Sequence, residues 1–114
     1  MNICCFVGKL ANDPDLREIN GTHVVNFSLA VEDYRKDKNG EKHRRIDFLD
    51  FEAWDSGATT IAKHFKKGDL LIIEAEARQH KWMSNDQKRQ KIIFRVKTFK
   101  SSGCNSIKQD YEME

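Results

Sequence analysis

Residues 46–68 read IDFLDFEAWDSGATTIAKHFKKG, and two different periods meet inside this stretch. From 46 to 54 the pattern has period two. Asp47, Leu49, Phe51 and Ala53 share one face of a strand; Phe48, Asp50, Glu52 and Trp54 share the other. From 56 onward the period becomes helical, with Ala58, Ile61, Ala62 and Phe65 forming one apolar stripe. Ser56 is the predicted N-cap. Lys66 and Lys67 suit the helix C-terminus, and Gly68 suits the position after it. Working outward, every other patterned segment reads as strand. Residues 3–10 (ICCFVGKL) form a strand with mixed burial on both faces, and Asp13-Pro14 and Asn20-Gly21 mark turns. Across 23–34, Val25, Phe27, Leu29 and Val31 face one way; Asn26, Ser28, Ala30, Glu32 and Tyr34 face the other. Asn39-Gly40 is a further turn. Residues 69–82 start apolar on both faces, then set Ala75 and Ala77 against Glu74, Glu76, Arg78, His80 and Trp82. Residues 90–99 close the pattern, with Ile92, Phe94 and Val96 on one face. Five strands with one helix between the third and fourth predict an all-β, five-stranded OB-fold, a Greek-key barrel with one short helix.

The chain has 114 residues, enough for one domain with one hydrophobic core. Its 39% hydrophobic and 33% charged content excludes a disordered or collagen-like chain. No apolar run approaches the roughly 18 residues of a membrane helix, and MNICCFVGKL lacks a basic leader region and a small-residue cleavage site. A cytoplasmic protein is expected. The domain is expected over 1–100, with 101–114 a short, acidic, mobile tail. Cys4, Cys5 and Cys104 are too few and wrongly spaced for a disulfide framework. The reading is of free, mostly buried thiols in a reducing compartment. The four histidines are scattered, so neither a metal site nor a cofactor is expected.

The net charge of +2 hides two basic segments. Residues 35–45, RKDKNGEKHRR, hold six basic and two acidic side chains; residues 78–91, RQHKWMSNDQKRQK, hold five and one. Four aromatics fall on polar faces or beside these segments: Tyr34, Phe48, Trp54 and Trp82. Large rings on a polar face need a reason. One is burial in a subunit interface. The other is a set of platforms for unpaired bases, with neighbouring cations holding the phosphates. Asp50 and Glu52 argue against phosphate on their face. They pair with Arg or Lys on a neighbouring strand, face a subunit contact, or hold a divalent cation for phosphodiester cleavage. A metal-dependent nuclease site of that kind usually adds a nearby Lys, whereas Trp54 follows here.

Several spaced motifs together resemble the bacterial-type single-stranded DNA-binding proteins. They are Gly8-Lys9-Leu10, Asp13-Pro14, Leu16-Arg17, Gly21 and Asn26 to Val31; Asp47-Phe48 leading to Ala53-Trp54; Ile61 to Gly68; and Glu74, Arg78 and Trp82 before Gln87-Lys88-Arg89. The likeness covers about residues 1–97. It implies an OB-fold, a homotetramer, and sequence-independent wrapping of single strands in replication, recombination or repair. The family's stacking aromatics fall on Tyr34, Phe48, Trp54 and Trp82. Its phosphate contacts fall on Lys9, Arg35, Lys36, Lys38, Arg44, Arg45, Arg78, Lys81, Lys88 and Arg89. The rival readings are a primosome-type adaptor working through protein contacts, the nuclease above, and RNA chaperoning. Three departures stand out. Asp50 and Glu52 replace residues that are often uncharged. Ala75 replaces a usual Gly, which bears on sheet bending and assembly. The acidic ending Asp110 to Glu114 is not the Ile-Pro-Phe tip by which cellular members recruit replication and repair proteins; the expectation is either that recruitment is lost or altered, or that this is a short phage- or plasmid-like member.

Overall fold

A computed structural model describes residues 1–101. The elements are β1 (Cys4–Leu10), β2 (Asp15–Ile19), β3 (Thr22–Lys36), β4 (Lys42–Trp54), α1 (Asp55–His64), β5 (Leu70–Ser84) and β6 (Gln87–Ser101). The sheet order is β1-β5-β6-β4-β3-β2, and a further β1–β3 pairing at Lys9↔Ala30 and Leu10↔Leu29 closes five of the strands into a barrel. β4 and β6 run parallel, with Phe51 opposite Phe94, and the remaining pairs are antiparallel. This is the expected five-stranded Greek-key barrel, with α1 between its third and fourth strands.

β2 is an addition to the expected five. It hairpins onto β3 through Asn20 and Gly21, both at positive φ (51° and 81°), as a tight two-residue turn requires. All five of its residues are exposed, so it carries no burial pattern to read. The helix also begins differently. Trp54 occupies the N-cap position without a side-chain cap, and Ser56 lies inside the helix, its carbonyl accepting from the Thr59 and Thr60 hydroxyls. The helix ends at His64, so Lys66 and Lys67 belong to the following turn. There their backbone N–H groups donate to the carboxylates of Asp69 and Asp13. Gly68 has the expected positive φ, 94°.

The core forms where the inward faces meet. Phe27 and Phe51 stack with ring centroids 5.4 Å apart, Phe6 meets Phe51 edge-on at 5.3 Å, and Phe65 of the helix flank meets Phe99 at 5.8 Å. Ala58 and Ile61 of α1 are fully buried in the same cluster. Gly8 is needed where β1 crosses β3, because a Cβ there would stand 2.6 Å from the Ala30 carbonyl oxygen. Ala75 is fully buried beside a register shift: Glu74 pairs with Thr98 but Ala75 with Val96, leaving Lys97 as the extra residue of a bulge. That bulge reverses the parity of β6, so Val96 and Phe99 both point inward. Ile92 does not join them. It is exposed, because the hairpin runs beyond the barrel at that level. Of the thiols, Cys4 is half-buried and Cys5 exposed, so mostly buried thiols are not found; Cys104 lies outside the described residues.

Candidate nucleic-acid interface

Two long hairpins shape the surface. β3–β4 stays paired out to Lys36↔Lys42, and β5–β6 out to Ser84↔Gln87, where Asn85 and Asp86 both take positive φ (51° and 63°). Between the β5–β6 hairpin and the β2–β3 hairpin lies an open groove of about 710 Å³. Its floor is the outward face of the central strands. Asn26, Ser28, Asp50 and Glu52 come from β3 and β4, Ile93 and Arg95 from β6, and Trp54 lies among them.

The alternation of β3 and β4 puts the aromatics outside as expected, but in three settings. Phe48 is 66% exposed on the open face of β4, next along from Asp50. Tyr34 is exposed further out on the same hairpin; its hydroxyl donates to Glu32, and the Lys42 ammonium sits 5.2 Å above its ring. Trp54 alone of the four lines the central groove. It is half-buried, the Arg95 guanidinium lies 5.4 Å above its ring, and its indole N–H is buried with no partner among the described residues. Trp82 stands on β5 beside His80, ring centroids 5.5 Å apart. It lines a second hollow of about 560 Å³ with Lys81, Met83, Lys88, Arg89 and Gln90.

The cations divide by whether an acid already holds them. Arg44 pairs with Glu32 at 2.9 Å, Arg45 with Asp47 at 3.2 Å, and Arg78 with Glu76 at 3.6 Å. The Arg44 bond, and next the Tyr34 hydroxyl, hold the Glu32 carboxyl below its usual range, and the same Glu32 contact pushes the Tyr34 phenol up. Lys9, Arg35, Lys36, Lys38, Lys81, Lys88 and Arg89 are exposed and make no ion pair among the described residues. Lys9 lies on β1 opposite Ala30 of β3, and its charge adds to that of Arg44 in lowering the Glu32 carboxyl. Both acids of the floor are paired across strands: Asp50 with Lys91 at 3.5 Å and Glu52 with Arg95 at 3.1 Å. Lys91 and Arg95, together with Arg17 beside Asn26, are groove cations that sequence reasoning missed. For Lys91 and Arg95 the signal was alternation on the last strand, which sets Lys91, Ile93 and Arg95 on one face; Arg17, on the wholly exposed β2, had none. At the β3–β4 tip, Asp37, Glu41 and His43 bring one potential ligand atom each within 4.8 Å of one another. The His43 Nε2 contact at 2.8 Å and the Asn39 and Glu41 amides already occupy the Asp37 carboxylate.

The barrel and its flanking hairpins define a class: an OB-fold module with aromatic and cationic surface side by side. A family model, the Single-strand binding protein family, matches residues 1–101. Relatives named as single-stranded DNA-binding proteins include one from Aquifex aeolicus, 33% identical over 93 residues. That match covers 81% of this chain and 63% of the relative. Another from Listeria innocua is 36% identical over 90 residues, 78% of this chain and 55% of the relative. The chain therefore spans a little over half the length of the curated relatives it matches. Among solved structures, a Plasmodium falciparum SSB complex with ssDNA superposes with a TM-score of 0.76 at 26% identity, over 84% of this chain and 86% of that one. A deletion mutant of the Thermus aquaticus single-stranded DNA binding protein shares the fold, with a TM-score of 0.80 at 18% identity, over 99% of this chain and 54% of that one. The chain belongs to the Single-strand binding protein family.

Proposed function

We propose that the protein coats and protects single-stranded DNA during replication, recombination or repair, with little dependence on sequence. The observation that carries the reading is the adjacency of exposed rings and unpaired cations on the two long hairpins, β3–β4 and β5–β6. Every base has a π-face, so Tyr34, Phe48, Trp54 and Trp82 offer stacking worth roughly 1–3 kcal/mol per base whatever the sequence. Lys81, Lys88 and Arg89 stand beside Trp82, and Arg35, Lys36 and Lys38 beyond Tyr34, where they can follow a phosphate backbone. Arg44, Arg45 and Arg78 would reach phosphate by exchanging a carboxylate for it, and Lys9 would extend the path across β1. The relatives' names and the solved complex with ssDNA support the ligand class.

Self-association, as a homotetramer, completes the reading by joining several barrels into one path. The exposed Ile3, Cys5, Val7 and Ile72 give β1 and β5 an apolar outer face suited to it. In this reading residues 1–100 are the DNA-binding domain. The acidic residues 101–114, almost all outside the described residues, meet replication or repair proteins in the cytoplasm, including the replication sites of an infected host for a phage-like member. No helix among the described residues is long and apolar enough to cross a membrane.

The test is tryptophan fluorescence during titration with oligothymidine at low and moderate salt. Saturable quenching that weakens steeply with salt is expected. Folded protein without quenching or retained strand would overturn the reading and leave the rings to protein contacts, as in an adaptor. Shortened strands after incubation with magnesium would point to the nuclease.

A further inference from the structure

The floor of the groove carries carboxylates where a phosphate-binding surface would carry none. Asp50 and Glu52 occupy alternate outward positions of β4, between Phe48 and Trp54. The two are not equivalent. The Glu52 side chain is only 13% exposed, and its Oε1 accepts from Arg95 Nε at 3.1 Å. The Asp50 side chain is 49% exposed. Its Oδ1 accepts from the Ser28 hydroxyl at 2.9 Å, and its Oδ2 lies 3.5 Å from the Lys91 ammonium. An ionised carboxylate offers about four lone-pair sites. Asp50 thus keeps acceptor capacity facing the groove, while Ser28, directly opposite in the β3–β4 register, holds its orientation.

Two consequences follow for a strand lying here. Paired with Lys91, Asp50 adds no net attraction for phosphate, so the unpaired hairpin cations are the better hold for the backbone and the bases are left to face the floor. Alternate residues on one strand face are about 6.7 Å apart, so a base stacked on the Phe48 ring brings one edge within reach of Asp50. A carboxylate only accepts hydrogen bonds. Cytosine N4 and adenine N6 carry amino donors, and guanine adds its N2 amino group. Thymine has a single ring N–H between two carbonyl oxygens, which repel a carboxylate approaching it.

We propose that Asp50 reads base edges, favouring bases with an exocyclic amino group over thymine at the position stacked on Phe48. This rests on the nucleic-acid reading above and adds to it a base preference superimposed on general binding.

The experiment compares two strands of equal length, one all thymine and one all 5-methylcytosine. These bases share ring size and methyl group, and differ only in the 4-oxo and N3–H groups against 4-amino and bare N3. Binding is followed by fluorescence anisotropy of end-labelled strands at one salt and mildly alkaline pH, where cytosine is neutral. The 5-methylcytosine strand is expected to bind about tenfold more tightly, within the range of a carboxylate–amino contact. The Asp50→Asn protein, checked for an unchanged thermal melt, is expected to bring the ratio within about twofold, because an amide both donates and accepts. Equal affinities in the wild type, or tighter thymine binding, overturn the proposal while leaving DNA binding intact. A preference that persists in Asp50→Asn overturns the assignment to Asp50. Binding of neither strand overturns the underlying function instead.

Discussion

Truncating Phe48 separates a base platform from a structural ring, because the two roles move different observables. Phe48 is 66% exposed, whereas Phe51, three residues on and on the opposite face, is 0% exposed. A buried phenylalanine covers about 150–250 Å². With a third of that covered, Phe48 contributes roughly 1–2 kcal/mol to folding at about 25 cal/mol per Å², and this is an upper figure. Phe51→Ala is expected to cost about 3–5 kcal/mol. For DNA the order reverses. Phe48→Ala removes one stacking partner and is expected to weaken binding by about 1–3 kcal/mol, roughly five- to 150-fold in Kd, on every unstructured sequence. Urea unfolding followed by tryptophan fluorescence gives the first quantity. Anisotropy of a labelled oligothymidine gives the second. A Kd within about twofold of wild type, with a urea midpoint lowered as far as in Phe51→Ala, would refute the platform role. A stability loss that grows on dilution would place the ring in a subunit contact instead.

The other expectations are simpler. Gly8→Ala should destabilise the fold by roughly 1–3 kcal/mol, because the new Cβ meets the Ala30 carbonyl and Leu29 Cγ at 2.6 and 2.9 Å; an unchanged melting temperature would refute the close approach. Affinity should fall with salt, and Arg89→Ala should flatten the log–log slope by about 0.7, the share of one phosphate on a single strand; an unaltered slope would remove Arg89 from the path. At the β3–β4 tip, the hydrogen bond with His43, and next the Glu41 amide, hold the Asp37 carboxyl below its usual range. A carboxyl depressed on folding stabilises the tip fully above the unfolded value and loses that contribution as pH falls through the depressed one. The Asn39 and Glu41 amide resonances should therefore hold steady to below about pH 3.9, and Asp37→Asn should abolish their acid step.

The barrel was legible because its strands are half-buried, and half-burial writes period two into a sequence. Val25, Phe27 and Leu29 on β3, and Phe51 and Ala53 on β4, are inward by parity alone. What escaped has the opposite physics. β2 pairs by backbone hydrogen bonds and buries none of its five side chains, so nothing in its composition marks it. Parity also fails where a bulge intervenes, as at Lys97, and where a hairpin leaves the barrel, as at Ile92, whose position on the core face meets no core.

The site divides along the same line. An aromatic on the wrong parity is a local fact, and it singled out Phe48 and Trp54 from a nine-residue stretch. Whether a cation is available is a non-local fact, set by which acid stands across from it. Arg44 and Lys36 look alike in RKDKNGEKHRR, yet Glu32 holds the first and no acid among the described residues holds the second. The floor acids show the same dependence. On their own strand Asp50 and Glu52 read as obstacles to a polyanion. Beside β6 they become partners of Lys91 and Arg95, and Asp50 keeps the more exposed side chain of the two. Unpaired cations lie on the hairpins whereas Lys91 and Arg95 on the floor are paired, so in the proposed function a strand would set its phosphates toward the hairpins and its bases toward Trp54 in the groove and Phe48 beside it.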